Sequence, residues 1–254
     1  MDLQAKANSV RRDIIKFKTD TGYGHLASAL SIVDVLVSLY YDENTWFNHK
    51  VDEIIWGKAH GGPAVYPILA ELGYFSPKEL DSYCRPGGIL RLHPDKSIPG
   101  CSFVGGSLGN GIGFAAGLAF ANKSKRYIVI LGDAELYEGA VWESLMFISH
   151  HMLSNLLIIV DRNGLGILGS TEELLRLEPI GEKFRSFGFD IVNEDGHDFK
   201  KLQQALSSPP TVPTVIVAET IKSKGVKFME GKPEYHTIIP RDPAVVIDML
   251  EELK

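Results

Sequence analysis

Two polar side chains with the chemistry of metal ligands, Asp133 and Asn163, are thirty residues apart, and each follows a short apolar run. The runs, Tyr127 to Leu131 and Leu156 to Val160, have the composition of parallel strands that are buried on both faces. The carboxyl ends of such strands meet at one edge of the sheet, where ligands bind. A carboxylate and an amide delivered there could hold Mg²⁺ or Ca²⁺ together with phosphate oxygens. Alternatively, Asp133 caps a helix and Asn163 is a turn residue.

The segments around these two runs indicate how the two side chains are positioned. Val141, Leu145 and Ile148 recur at the spacing of a helix that joins the two strands. Further strands are expected at residues 52–57, 189–193 and 211–218, and further helices at residues 2–18, 28–41, 64–74, 77–83, 199–208 and 242–253. Strands that alternate with helices predict an α/β fold of three layers, in which helices cover both faces of a mostly parallel sheet. Since no linker or repeat interrupts the pattern, residues 1–254 are predicted to form a single domain.

Four histidines, His25, His60, His93 and His236, occupy predicted loops. Histidine suits proton transfer and hydrogen bonding at neutral pH, because its unperturbed pKa is ~6.5. His25 alone could be a capping or packing residue, because it directly precedes a predicted helix. His93 lies in a loop rich in glycine and proline, residues 86–100, and loops of that length usually have a function. Together the four residues predict a catalytic site better than any one of them does.

A glycine-rich segment leads into another predicted helix. Gly105 and Gly106 would leave backbone N–H groups free to meet a phosphate at the N-terminus of that helix. Gly109, Gly113 and Gly117 recur every four residues and would share one helix face. Each costs ~1 kcal/mol relative to alanine inside a helix, so their presence predicts that another backbone approaches this face closely.

The composition limits the classes of protein to which the chain can belong. The net charge is −6, and no run of Lys and Arg is long enough for a nucleic-acid-binding surface. Cys84 and Cys101 are the two cysteines, a number that predicts a reducing compartment rather than a disulfide framework. The N-terminal residues lack the apolar core of a signal peptide, and no window is apolar enough to span a membrane. We therefore expect a cytoplasmic protein with neither nucleic acid nor membrane as a partner.

A different function is suggested by Gly111 to Ala116, which satisfies the dinucleotide-binding pattern G-x-G-x-x-A. Asp133 lies twenty residues past Gly113, where an acid that binds a ribose belongs. An NAD-dependent oxidoreductase with a Rossmann fold is therefore an alternative. In such enzymes the pattern directly follows a strand near the start of the domain. Here the only segment that could form this strand is Cys101 to Val104, which lies far from the start of the chain. A non-catalytic structural or regulatory subunit is a third possibility.

Ordered motifs along residues 1–240 resemble those of transketolases. Gly132-Asp133, followed after thirty residues by Asn163, resembles the thiamine-diphosphate motif of that family. Further segments that resemble the family are Gly24-His25, Lys58-Ala59-His60, Leu92-His93-Pro94, Gly106-Ser107-Leu108-Gly109-Asn110-Gly111 and Asp195-Gly196-His197-Asp198. Ala134 departs from the glycine that is usual in the family, and alanine does not readily take a positive φ. Leu26-Ala27-Ser28 also resembles deoxyxylulose-phosphate synthase, so a ketol or acyl transfer of that type is an alternative within the thiamine class.

The resemblance implies two cofactors, thiamine diphosphate and Mg²⁺, with Ca²⁺ or Mn²⁺ as alternative ions. The implied metal ligands are Asp133, Asn163 and the backbone carbonyl of Leu165. The implied cofactor-binding residues are His60, Gly106, Ser107, Leu108, Gly132, Asp133, Ala134, Glu135, Asn163, Lys222 and His236, with Lys58 nearby. The implied catalytic residues are His25, His60, His93 and His236. Glu138 and Glu143 would lie at a subunit interface.

The resemblance also implies a partner. In transketolases a pyrimidine-binding domain follows this pyrophosphate-binding domain and supplies a glutamate that activates the cofactor, and a third domain comes after it. This sequence stops at Lys254, so we expect the N-terminal subunit of a split transketolase, paired with a separately encoded C-terminal subunit in a dimer of heterodimers. The complex would transfer a two-carbon ketol unit from a ketose to an aldose, and either sugar could be phosphorylated.

Overall fold

The computed structural model describes residues 1–103 and 106–254, which contain one sheet of five strands. The strands are β1 (Glu53–Trp56), β2 (Tyr127–Gly132), β3 (Leu156–Arg162), β4 (Asp190–Asp195) and β5 (Thr214–Glu219). Their order in the sheet is β1-β2-β3-β5-β4, and every neighbouring pair is parallel. The predicted α/β class and the five predicted strands are confirmed.

Ten α-helices flank the strands in the described residues. They are α1 (Leu3–Thr21), α2 (Leu26–Ser31), α3 (Val33–Tyr41), α4 (Tyr66–Glu71), α5 (Asn110–Ala121), α6 (Gly139–His150), α7 (Thr171–Leu174), α8 (Ile180–Ser186), α9 (Phe199–Ala205) and α10 (Pro243–Glu251). Short 3₁₀ helices occupy Ala59–Val65, Pro77–Ser82, Asp133–Tyr137 and Pro233–His236. Within the described ranges, no helix combines the length and the apolar character that crossing a membrane would require.

Alternate residues of the central strands enter two separate hydrophobic cores. Ile128 and Ile130 of β2 belong to a core that α1 to α4, α9 and α10 cover, whereas Val129 and Leu131 belong to a core that α5, α6 and α8 cover. Because the side chains of a strand alternate between the two faces of a sheet, a strand with a core on each side has no polar face. This explains the continuous apolar runs in the sequence and confirms the three-layer arrangement.

Three strand ends lie side by side at one edge of the sheet. Gly132 of β2 pairs with Asp161 of β3, and Asp161 pairs in turn with Ala218 of β5. The residues that follow these positions, including Asp133 and Asn163, are therefore brought to the same edge, as predicted from parallel strands.

Some helix boundaries differ from the predicted ones. α1 continues to Thr21, three residues beyond the predicted end, and stops where Gly22 takes a left-handed conformation and donates its N–H to the carbonyl of Lys18. The predicted helix of residues 28–41 is two helices, α2 and α3, with Ile32 between them. The predicted helix of residues 64–74 begins earlier, as a 3₁₀ helix, and continues as α4.

The glycines around α5 have only part of the predicted arrangement. Gly109 precedes the helix and has a φ of 83°, which favours glycine. Gly113 is exposed, and a Cβ at Gly117 would meet no described atom within 4 Å. The close approach occurs instead at Gly111, where an added Cβ would lie 2.6 Å from the Cα of Gly57. The three repeat glycines do line one groove beside α6, where a Cβ at Gly109 would lie 2.7 Å from the Cβ of Glu138 and one at Gly113 would lie 3.3 Å from the Oγ of Ser144. The predicted approach of a second backbone is made by Gly111, outside the repeat, at the end of β1.

Candidate active site

A cavity of about 300 Å³ opens at the carboxyl edge of the sheet. It is lined by His25, Ser28, Lys58, Ala59, His60, His93, Gly106, Leu108, Gly132, Asp133, Ala134, Glu135, Asn163, Leu165, Gly166, Ile167, Lys222 and His236. The four predicted histidines, the predicted metal ligands and the predicted cofactor-binding residues thus meet in one place, with a single exception. Ser107 does not line the cavity and is exposed in the turn before α5. The predicted phosphate contact of Gly105 lies outside the described residues.

Three of the histidines form a cluster of imidazole rings. The ring centroids of His25 and His236 are 5.0 Å apart, those of His25 and His60 are 5.5 Å apart, and those of His60 and His236 are 5.6 Å apart. His93 reaches the cavity from the loop of residues 86–100, and a Cβ added at Gly106 would lie 3.8 Å from its Nδ1. The rings come from four separate segments, which the fold brings together at the strand ends.

The histidines of the cavity are uncharged at neutral pH. Burial lowers the pKa of His25 and His93, and it lowers the pKa of His60 well below the ordinary value. Burial, together with the positive charge of Lys222, lowers the pKa of His236 to about 3. A neutral imidazole has one nitrogen that donates and one that accepts, so each ring can either take or share a proton.

The hydrogen bonds of two rings define their tautomers. The Nδ1 of His25 lies 3.2 Å from the backbone carbonyl of His236, which can only accept, so Nδ1 carries the hydrogen and Nε2 keeps its lone pair. The Nδ1 of His236 lies 2.9 Å from the Nζ of Lys222 and accepts from the ammonium group. This leaves the hydrogen of His236 on Nε2. The two rings therefore present opposite functions at their Nε2 atoms, a base on His25 and a donor on His236.

Lys222 is a buried cation of the cavity wall. Its Nζ donates to the carbonyl of Leu165 at 3.0 Å, and its side chain is almost inaccessible to solvent. Burial and the nearby charge of Lys58 lower the pKa of Lys222 to about 8. Its ammonium group is therefore charged at neutral pH without a carboxylate within ion-pair distance in the described part of the chain, which suits it to hold an anionic ligand.

The second lysine of the cavity, Lys58, is neutralised by Asp161. The two side chains are almost completely buried and form an ion pair, and the Nζ of Lys58 also donates to the Oγ of Ser31 at 2.9 Å. Ser31 donates in turn to Asp161 at 2.7 Å, and the hydroxyl of Thr220 donates to the other carboxylate oxygen. Asp161 thus joins three chain segments directly beneath the cavity. The resemblance to transketolases implied that Lys58 lies near the diphosphate, but no sequence motif indicated Asp161 as its partner.

Asp133 is held by three donors. Its Oδ1 accepts from the N–H of Ala134 at 2.8 Å, and its Oδ2 accepts from the N–H of Gly164 at 2.6 Å and from Arg162 at 3.1 Å. Burial and the negative charge of Asp161 nevertheless raise the pKa of Asp133. A bound cation would stabilise the charged form of Asp133 and so offset the effects of burial and of Asp161.

The predicted metal ligands fit a hard cation. Asp133, Asn163 and Leu165 all line the cavity, and they offer a carboxylate, an amide oxygen and a backbone carbonyl, which are the donors that Mg²⁺ and Ca²⁺ take. Nowhere in residues 1–103 and 106–254, this cavity included, do three His, Cys, Asp or Glu side chains group so as to hold a metal ion. With one carboxylate in the set, further oxygens from a phosphorylated ligand or from water would have to complete the coordination.

Glu135 and Ala134 support the wall without unusual backbone geometry. The carboxylate of Glu135 accepts from the N–H of Gly109 at 2.8 Å and from the N–H of Gly132 at 3.2 Å, so both oxygens brace the backbone. Burial raises the pKa of Glu135 to about 7. Ala134 lies within a 3₁₀ helix and has no positive φ, so alanine is accommodated where glycine is usual in transketolases.

Ser28 is a polar residue of the cavity that the sequence motifs did not indicate. Ser28 lines the cavity, is 1% exposed, and its Oγ has no hydrogen-bond partner in the described residues. Buried hydroxyl groups without a partner are uncommon and require an explanation. Ser28 lies three residues after His25, and this helical spacing from a candidate catalytic residue was the available signal.

The structure does not favour the dinucleotide-binding alternative. Residues 57–103 and 106–109 contain no strand, so none directly precedes the glycine pattern. Gly111 lies inside α5 and packs against Gly57, instead of forming the turn between a strand and a helix. Asp133, which would bind a ribose in that alternative, instead accepts a hydrogen bond from Arg162 and lines the cavity together with Asn163.

Known proteins are similar to this chain over most of its length. The family profile described as transketolase, thiamine diphosphate binding domain, matches residues 4–239. The chain is 37% identical to one subunit of the apulose-4-phosphate transketolase of Actinobacillus succinogenes, over 100% of this chain and 96% of that protein. It is 36% identical to the 6-deoxy-6-sulfo-D-fructose transketolase subunit SqwG of a Clostridium species, over 94% of this chain and 91% of that protein.

Longer transketolases match over part of their length. The human enzyme is 31% identical over 92% of this chain, which corresponds to 39% of the human protein. The crystal structure of transketolase from Campylobacter jejuni superposes with a TM-score of 0.90 at 26% identity, over 99% of this chain and 42% of that chain. The chain belongs to the transketolase family, as a member of its thiamine-diphosphate-binding domain.

Proposed function

We propose that this chain is the cofactor-binding subunit of a two-subunit transketolase that transfers a two-carbon ketol unit from a ketose to an aldose. One observation carries the proposal: Lys222, Asp133, Asn163 and the histidine cluster converge on one cavity at the carboxyl edge of the sheet. Near-complete coverage of relatives that are themselves named transketolase subunits supports the split organisation.

The cavity would hold thiamine diphosphate by its charged end. Lys222 would pair with the diphosphate, and His60 and the free hydroxyl of Ser28 would donate hydrogen bonds to it. Asp133, Asn163 and the carbonyl of Leu165 would hold Mg²⁺, or Ca²⁺ or Mn²⁺ in its place, and the ion would help to neutralise the charge of the diphosphate. The remaining cofactor contacts would come from the backbone around Gly106, Leu108, Gly132 and Ala134 and from the support of Glu135, with Ser107 as an outer contact.

The histidines would move protons on the sugar. When bound, thiamine diphosphate supplies the carbanion that makes carbon–carbon bond cleavage and formation possible. The Nε2 lone pair of His25 would accept a hydroxyl proton from the sugar, and the Nε2–H of His236 would donate a hydrogen bond to a sugar oxygen. His93, in the loop of residues 86–100, would orient a second hydroxyl, and His60 would be the fourth catalytic histidine.

The partner would be a separate C-terminal transketolase subunit with the pyrimidine-binding domain, in a dimer of heterodimers. Ile167 lines the cavity and is 58% exposed, and the next residue, Leu168, is 81% exposed; these apolar side chains support a protein partner at that position. Glu138 and Glu143 are exposed on the same chain and would face a neighbouring subunit. Residues 1–254 would act as one domain, and we expect the complex in the cytoplasm.

The substrate class follows from the names of the relatives. One is named for a sugar phosphate and the other for a sulfosugar, so both names describe sugars with an anionic group. We expect a ketose with such a group as the donor for this chain as well. The anionic group would bind mainly to the partner subunit, because Lys222 would already pair with the diphosphate of the cofactor.

Metal-dependent binding of thiamine diphosphate tests the proposal. In calorimetric titrations of the whole chain, thiamine diphosphate should bind with Mg²⁺ present and lose at least about tenfold in affinity when EDTA removes the metal. Asp133→Asn should reproduce that loss with Mg²⁺ present, whereas Asp20→Asn, at a side chain 57% exposed, should bind as the parent does. Tight binding of NADH with no response to thiamine diphosphate would overturn the proposal.

A further inference from the structure

His197 bridges a buried carboxylate and the backbone beside Lys222. Its Nδ1 lies 2.6 Å from the Oδ2 of Asp34, and its Nε2 lies 2.8 Å from the backbone nitrogen of Ile221. The N–H of Ile221 can only donate, so Nε2 is the acceptor and Nδ1 carries the hydrogen that Asp34 accepts. The ring is therefore fixed in one tautomer and one orientation.

The carboxylate that orients His197 is itself rigidly held. Asp34 lies in α3, is 2% exposed, and accepts from both Nη atoms of Arg11 in α1, at 2.9 and 2.6 Å. Burial alone would raise the pKa of Asp34, but the hydrogen bond from His197 and the charge of Arg11 outweigh it and lower that pKa. A charged, bidentate partner is a firm support for the imidazole.

Several backbone N–H groups around Lys222 are hydrogen-bonded to other segments, and the carbonyl of Lys222 itself accepts from the N–H of Gly231 at 3.1 Å. Thr220 donates its N–H to the carbonyl of Arg162 at 2.9 Å, Ile221 donates to His197, and Ser223 donates to the carbonyl of Ala27 at 3.1 Å. Among these bonds, only that from Ile221 uses a side chain as the acceptor. His197 does not line the cavity, so any influence that it has on a ligand passes through the main chain.

We propose that His197, oriented by Asp34, is a positioning residue that fixes the Lys222 ammonium group for the anionic ligand of the cavity. The assignment rests on the proposed function, since the ligand that Lys222 meets is the diphosphate of that proposal. It gives a role to the segment Asp195-Gly196-His197-Asp198, which no part of the cavity uses directly.

Three substitutions at His197 separate its two hydrogen bonds. His197→Gln keeps an acceptor at the place of Nε2, His197→Asn keeps a polar group at the place of Nδ1, and His197→Phe keeps only the ring. If His197 acts on Lys222 through Ile221, affinity for Mg²⁺ and thiamine diphosphate should stay within about threefold in the Gln variant and fall about tenfold in the Asn and Phe variants. A purely structural role would instead make affinity follow thermal stability, with Asn closer to the parent than Phe.

Hydrogen exchange provides a readout that needs no cofactor. The peptide that contains Ile221 should exchange its amide faster in the Asn and Phe variants of His197 and remain protected in the Gln variant. Unchanged exchange in all three variants, or affinities equal to that of the parent chain in folded Asn and Phe variants, would overturn the inference. A third outcome is that exchange at Ile221 changes in the variants as described, but the parent chain does not bind thiamine diphosphate. That outcome would contradict the proposed function and, with it, the part of the inference that concerns the ligand.

Discussion

Lys58 and Asp161 form an ion pair beneath the cavity, with side chains that are 1% and 0% exposed. Burial would raise the pKa of Asp161, but the charge and hydrogen bond of Lys58 outweigh it and lower that pKa. Because of this ion pair, the two lysines of the cavity have different roles. Lys58 is neutralised and ties the end of β1 to β3, while Lys222 stays available to a ligand.

The first prediction is that removing either partner of this pair destabilises the fold strongly. Asp161→Asn and Lys58→Met should each lower the free energy of unfolding by about 3–5 kcal/mol, because each leaves a buried group without its partner. The double variant should recover a large part of that loss, since no uncompensated charge remains. Urea denaturation of the four proteins measures the coupling.

An exposed ion pair serves as the control for this cycle. Arg85 and Asp20 lie 2.6 Å apart with side chains 51% and 57% exposed. The same cycle on them should give a coupling of about 0–1 kcal/mol. A Lys58–Asp161 coupling as small as that of the surface pair would show that the buried pair does not organise the site.

The second prediction concerns the unpartnered hydroxyl of Ser28. Ser28→Ala should leave stability unchanged or slightly raised, because no hydrogen bond is lost, and should weaken binding of thiamine diphosphate about fivefold. Ser38→Ala is the matched control, since Ser38 is also buried without a partner in the described residues but does not line the cavity. Equal affinities for the two variants would contradict a ligand contact at Ser28.

The third prediction is a loss of cofactor affinity at alkaline pH. Lys222 has a pKa of about 8 in the free chain, and a bound diphosphate favours its charged form. Above that pH, binding must draw a proton from solvent, so affinity should fall as pH rises, by up to about tenfold per pH unit. Calorimetry in buffers of different ionisation enthalpy measures the proton uptake. Lys222→Met should abolish the proton uptake. The control variant Lys224→Met, at a residue outside the cavity, should retain it. Uptake that persists in Lys222→Met would contradict the assignment.

The fourth prediction concerns Lys18, a lysine that is fully buried against the hydroxyl of Tyr83 at 3.2 Å. Burial lowers the pKa of Lys18 from 10.5 to about 7. The unfolded chain therefore binds more protons than the folded chain between pH 7 and 10.5, and stability should rise with pH across that range. Lys18→Met should raise the free energy of unfolding by about 2 kcal/mol or more at pH 6 and flatten the rise above pH 7. A pH profile identical to that of the parent chain would contradict this explanation.

The sheet could be predicted from the sequence because its strands are buried on both faces. Runs such as Tyr127 to Leu131 and Leu156 to Val160 have no polar face and end in residues with ligand chemistry, so they indicated both the strands and their shared edge. Helix details were less predictable. A repeat of glycines does not say which helix face meets the sheet, and Gly111, outside the repeat, makes the close contact.

The members of the site could be predicted, but its internal pairings could not. Family motifs identified the histidines, Asp133, Asn163 and Lys222, which the fold brings into one cavity. The bond from His197 to Ile221 joins residues twenty-four positions apart, and Asp161 meets Lys58 across one hundred and three positions. Such contacts depend on how strands and helices pack and have no local signal in the sequence.

Ketol transfer by the reconstituted pair of subunits tests the central claim most directly. This chain and its C-terminal partner should transfer a two-carbon unit between sugars only when they are mixed and supplied with Mg²⁺ and thiamine diphosphate. A mixture made with Asp133→Ala should form the complex and lose at least about a hundredfold in rate. Full activity of that mixture, or none in the parent mixture while thiamine diphosphate stays unbound, would contradict the account.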